Sequence, residues 1–179
     1  MSAGEEYAFS FTITNPGSGQ ESPSVSVEAS GDAADYAASA MTRDTETSVL
    51  GIAGGASPLK VVEPVFTTKR ITQSTPASSA SNVITVSISP TLDLSGSASA
   101  AITLTNLTGA VLGESVTLGA VTGGQSGEGL FCGASADGTS GTAAWSAESS
   151  SLVLRLCGGA TMSAGEEYAF SFTITNPGS

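Results

Sequence analysis

Eighteen residues occur twice in this chain of 179: residues 1–18 read MSAGEEYAFSFTITNPGS, and residues 162–179 read the same. The offset is 162 minus 1, or 161 residues. An identity of this length and complexity does not arise by chance, and repetition at a fixed period is the signature of an array. Two readings follow. In one, the chain is a window on a tandem array, one period plus an overlap. In the other, a single domain carries a duplicated strand at each end, one copy for itself and one for a neighbour. Recent tandem duplication leaves identical neighbouring units, which favours the array. Met1 is then the equivalent of Met162, which follows Thr161 in mid-chain. On this reading Met1 is not expected to be an initiator, and the absence of a leader peptide carries no information.

The repeated segment has the alternation of a half-buried strand. Tyr7, Phe9, Phe11 and Ile13 alternate with Ala8, Ser10, Thr12 and Thr14, and the second copy sets Tyr168, Phe170, Phe172 and Ile174 at the same positions. Asn15-Pro16-Gly17 supplies turn residues at the end of it. The same period of two recurs at Val25 and Val27, at Ile84, Val86 and Ile88, at Ile102 and Leu104, at Val116 and Leu118, and at Leu152, Leu154 and Leu156. Residues 65–73, rich in β-branched side chains, form a further expected strand. Only residues 33–41 have any helical flavour, and they predict a loop or one helical turn. Short strands punctuated by Gly, Ser and Pro predict an all-β fold, an antiparallel β-sandwich with one buried and one solvated face per sheet. Residues 31–57 are rich in Gly, Ala, Ser and Asp and predict a linker. Residues 1–30 then hold the last strands of one unit, or a donated strand, and residues 58–179 most of the next.

Composition excludes several functions. Five Lys+Arg stand against 16 Asp+Glu, a net charge of -11, so no basic footprint for nucleic acid exists. The chain has no histidine, hence no Ser-His-Asp or Cys-His device and no zinc site of the usual kind. No run of 18 apolar residues is present, so no membrane span is expected in this window. Asp32, Asp35, Asp44 and Glu46 are the densest acidic region, but their spacing does not match a calcium loop. Glu5-Glu6 and Glu166-Glu167 alternate faces and do not converge as glycosidase carboxylates. Gly54-Gly55 and Gly123-Gly124 lack the context of a phosphate loop. The expectation is no catalytic residue, no metal and no cofactor.

Two other features bear on compartment. Cys132 and Cys157 are outside any CxxC motif, and the expected pairing is one disulfide that closes the Gly-rich loop 133–144. The less favoured pairing is a cross-link between neighbouring units. Asn106-Leu107-Thr108 is an N-glycosylation acceptor, the one such site in the chain. Strand parity puts Asn106 on the face of Ile102 and Leu104, so a glycan there needs the strand to end or bulge first. Ser/Thr-rich turns, residues 74–81 and 95–99, are candidates for O-linked sugars or plain solvated loops. Lys69-Arg70 is a candidate partner for a neighbour's carboxylates, and Trp145 is expected to pack at the core or its edge.

Four runs carry a resemblance: KRITQSTPASSASNVITVSISPTLDL (69–94), AITLTNLTGA (101–110), EEYAFSFTITNP (166–177) and SPSVSVEASG (22–31). Together they resemble the immunoglobulin-like repeats of large extracellular proteins of algae and other protists, similar to surface and flagellar-hair-like components. The resemblance implies a secreted, glycosylated, fibrous protein without catalysis. A period of 161 is long for one immunoglobulin-like unit of about 100 residues, which leaves room for extra strands or a linker. The combined expectation is a structural subunit of an extracellular or cell-surface filament whose partner is itself, head to tail, through Tyr7, Phe9, Phe11, Ile13, Tyr168, Phe170, Phe172 and Ile174. The alternative is an adhesin or carbohydrate-binding module on a repeat stalk.

Overall fold

A computed structural model describes residues 2, 4–96, 100–122 and 125–178. Gly123-Gly124 and three serine/alanine positions of the 95–99 turn lie outside the described residues. The strands are β1 (Ser26–Ala29), β2 (Tyr36–Ala40), β3 (Phe66–Gln73), β4 (Ser81–Pro90), β5 (Leu94–Ser95), β6 (Ala101–Leu104), β7 (Ser115–Thr117), β8 (Gln125–Ser126), β9 (Thr142–Ser146), β10 (Ser151–Arg155), β11 (Thr161–Met162) and β12 (Tyr168–Thr175).

Two four-stranded sheets, β3-β4-β12-β8 and β6-β10-β9-β7, face each other across one core. All their pairings are antiparallel except the short β12–β8 contact. Alternation decides what lies inside. Ile84, Val86 and Ile88 of β4 and Tyr168, Phe170 and Phe172 of β12 meet Ile102, Ala143, Leu152 and Leu154 of the opposite sheet. Phe131, fully buried, sets its ring on edge to Phe170 at 5.4 Å between centroids. Trp145 on β9 packs partly buried against this core.

The sandwich begins at Phe66, so residues 19–65 precede it as a separate stretch. This connector is not featureless. Residues 33–41, expected as a loop or helical turn, contain strand β2, paired antiparallel with β1. Residues 36–40 have no apolar/polar alternation of their own, and pairing with β1 prevails over alanine's helix preference. Both strands are exposed along their whole length.

Candidate functional site

The two copies of the repeated segment lie in opposite environments. The second copy forms β12, an interior strand of its sheet. It pairs along its whole length with β4, from Tyr168 opposite Ile88 to Thr175 opposite Ser81. Its other side is tied at three points, by β8 at Tyr168 and Ala169, by Gly119 at Ser171 and by Val111 at Thr175. Gly119 lies close to Ser171: a Cβ there would sit 2.8 Å from Ser171 Oγ, so that hydroxyl would have to turn aside. Between the Gly119 and Val111 ties a cleft of about 510 Å³ opens, lined by Val111, Leu112, Val116, Leu118, Phe172 and Ile174.

The first copy, expected to be a half-buried strand, pairs with nothing among the described residues. Its apolar face is in water: Phe9 is 85% and Phe11 75% exposed, against 0% and 2% for Phe170 and Phe172. The physical reason is occupancy. Among the described residues, β12 already fills the place beside β4 that a strand of this sequence fits. Phe9 and Phe11 stack on each other with 6.5 Å between centroids, a contact their equivalents in the core do not need. The eight side chains expected at a contact between units therefore divide into two sets. Tyr168, Phe170, Phe172 and Ile174 serve this chain's own core, and Tyr7, Phe9, Phe11 and Ile13 are bare.

The bare copy nevertheless has the local conformation of the buried one. In each, a glycine at positive φ (Gly4 at 81°, Gly165 at 78°) makes a turn. The N–H of Ser2 donates to the Tyr7 hydroxyl at 2.7 Å, and that of Ser163 to the Tyr168 hydroxyl at 2.8 Å. The Ser2 N–H holds the Tyr7 phenol below its ordinary pKa. The turn and its hydrogen bond to the tyrosine hydroxyl are thus encoded locally and need no sheet.

Beyond β12, Asn176 locks the register. Asn82 is fully buried, and its amide donates to Asn176 Oδ1 at 2.8 Å and Gln73 Oε1 at 2.9 Å. Its oxygen accepts from Ser74 N, Ser74 Oγ and Thr75 N. Asn176 in turn donates to the carbonyls of Thr75 and Ala77. Sequence reasoning missed this pair; the signal available was a lone Asn at an inward position of an apolar strand.

The sandwich has two ends. The chain comes in at Phe66 opposite Pro90, the leading end, and leaves at Asn176 beside Ala80, the trailing end. Residues 19–22 are clasped at the leading end. Gln20 and Val61 exchange backbone hydrogen bonds at 2.9 Å, Gly19 N donates to Glu63 Oε1 at 3.0 Å, and Ser22 Oγ donates to the Pro58 carbonyl. Thr91 binds the carbonyls of Glu63 and Val65, and Asp93 N donates to the Leu50 carbonyl, so the clasp is fixed to the sandwich.

The remaining predicted residues are placed as follows. Cys132 and Cys157 form one disulfide within the chain, with Cα atoms 5.0 Å apart. The bond indicates an oxidising environment. β6 ends at Leu104, and Asn106 takes positive φ (62°), stands exposed and lets Leu107 pack against the core. Arg70 pairs with Glu167 of its own chain at 3.6 Å, on the surface. Asp32, Asp35 and Glu46 are exposed. Asp44 Oδ1 accepts the N–H groups of Glu46 and Thr47, and bonding from Thr47 foremost holds its carboxyl below the usual value. No helix among the described residues is long and apolar enough to cross a membrane. No family model matches the chain, and no curated protein or solved structure matches it.

Proposed function

We propose that the chain is a structural subunit of an extracellular fibril, built from immunoglobulin-like β-sandwich units joined head to tail, without catalysis. One observation carries this reading: the same segment closes one sandwich and recurs bare at the far end of the chain, with its apolar face exposed. An uncovered Phe-Phe-Ile stripe on an unpaired segment is unfavourable in water and marks a site of association. The chain also comes in at one end of the sandwich and leaves at the other, so successive units extend in a line. A head-to-tail contact that does not close on itself gives a filament. The intrachain disulfide supports a secreted or surface location, and the exposed Asn106 supports a glycan on the fibril surface.

Electron cryomicroscopy of the native, undigested material tests this. The expected image is a filament with continuous density from one period to the next. Isolated, monodisperse particles that bind a glycan array would replace it with the stalked-adhesin reading.

A further inference from the structure

The strongest unexplained feature is the bare copy, and the geometry says where it belongs. It does not belong in its own sandwich. In the groove, Asn15 would take the place of Asn176, beside Ala80 at the trailing end. Gly19, however, is held to the Glu63 carboxylate at the leading end, next to Thr91. From Ala80 to Thr91 along β4 is about 36 Å. Four residue steps, Asn15 to Gly19, reach about 14 Å at full stretch. The gap cannot be closed while the clasp holds.

Stoichiometry points the same way. Each period contains one groove and one strand that fits it, and in this chain the groove is filled by the strand that follows it. The strand that precedes the clasp therefore matches a groove on the preceding unit. We propose that residues 2–16 are the closing strand of a second copy of this sandwich, lying against that copy's β4. Tyr7 stands opposite Ile88, Phe9 opposite Val86 and Phe11 opposite Ile84, and Asn15 bonds to Asn82. The assignment rests on the fibril reading above and supplies its coupling element. Its grounds are the residue-for-residue identity with β12, the preformed turn and phenol hydrogen bond, and the reach argument. Glu6 then meets Arg70 of the recipient, as Glu167 does within this chain. The trailing end of the recipient abuts the leading end of the donor, so the copies share one polarity.

The chain of 179 residues provides the test. Phe170→Asp puts a carboxylate against Phe131, unseats the chain's own β12 and leaves the intact first copy at the other end. The expected result is a ladder of masses above the 17.5 kDa monomer that grows with concentration. Phe9→Asp in place of Phe170→Asp leaves the monomer, and the double variant forms no ladder. Register is read by cysteines in the Phe170→Asp background. Ser10→Cys with Thr85→Cys cross-links between molecules, because Ser171 faces Thr85 in β12; Ser10→Cys with Val83→Cys does not. A Phe170→Asp chain that keeps its strand circular dichroism yet stays monomeric overturns the assignment, since groove and strand were present together and did not meet; if that chain unfolds, the milder Phe170→Ala is read in the same way. So does a ladder that survives Phe9→Asp. If either occurs while native filaments are seen, the fibril stands and its coupling lies elsewhere. If the ladder and cross-links appear while the native material is isolated particles, the donated strand stands and the fibril falls.

Discussion

Replacing Asn82 by leucine measures how much the trailing end depends on its amide pair. The side chain is fully buried and engages five groups: Ser74 N and Oγ, Thr75 N, Gln73 Oε1 and Asn176 Oδ1. Leucine fills a similar volume and satisfies none of them. Ser74 and Gln73 are exposed and rehydrate, so their loss is small. Asn176 is nearly buried and Thr75 half-buried. Leaving a buried polar group unpaired costs about 1–3 kcal/mol. The expected loss is therefore about 2–4 kcal/mol, a large part of a domain's stability of about 5–15 kcal/mol. Urea unfolding followed by tyrosine and tryptophan fluorescence reads it as a lower midpoint at unchanged slope. Asn176→Leu costs a similar amount, and the double variant costs less than the two singles together, because both remove one shared contact. A loss below about 0.5 kcal/mol, or strict additivity, would refute the claim that this pair holds the end of β12.

Removing the Cys132–Cys157 bond with Cys132→Ser and Cys157→Ser frees a 25-residue separation and should lower stability by about 3.5 kcal/mol in the loop-entropy model. An unchanged thermal midpoint would contradict it. The turn held by Asp44 should loosen in acid: its folded pKa is depressed, so the contribution is present above the unfolded pKa and lost as pH falls through the folded one. Amide exchange at Glu46 and Thr47 should quicken in that range, and exchange indifferent to pH beyond its intrinsic dependence would refute it. Native protein should carry a mass excess on the peptide holding Asn106 that Asn106→Gln abolishes, and an unmodified peptide would dispose of the glycan. Stretched between its ends, the chain should show an early, weak release of about 140 Å as the Gln20–Val61 clasp opens. Gln20→Pro removes two of the clasp's donors, the Gln20 N–H to Val61 and its side-chain amide to the Leu59 carbonyl, and should abolish that event; its persistence would place the weak link elsewhere.

The sandwich was legible because its strands obey a period of two. The inward sets read from β4, β6, β10 and β12 all enter the core. The disulfide was legible because two isolated cysteines in a histidine-free chain leave few roles. Besides the Asn82–Asn176 pair, three things were not. Residues 36–40 carry small side chains with no strong period, and β2 exists through pairing with β1, which local propensity does not encode. The bare state of Tyr7, Phe9, Phe11 and Ile13 follows from competition for one groove, a fact about the whole fold. The clasp is made mainly by backbone groups, so no side-chain pattern at Gln20 or Val61 announces it.

The clasp also changes what the long period means. As an open linker, the stretch between Gln20 and Val61 would let successive sandwiches drift about 140 Å apart. Closed by Gln20 and Val61, that stretch is a side loop and no longer sets the spacing. The path from one sandwich to the next then runs along β12, about 27 Å, and through two five-residue stretches, Asn15 to Gln20 and Val61 to Phe66, each about 18 Å at most. With the crossing of about 5 Å between the paired Gln20 and Val61, the axial repeat of the proposed fibril is thus held to about 70 Å or less. The excess of the period over one sandwich does not lengthen the array: it forms the β1–β2 hairpin and the loop whose Leu50 carbonyl accepts from Asp93 N, at the end where the preceding copy would sit. A fibril built this way is stiff at rest, with its extra length held by a few exposed hydrogen bonds that yield before either core does.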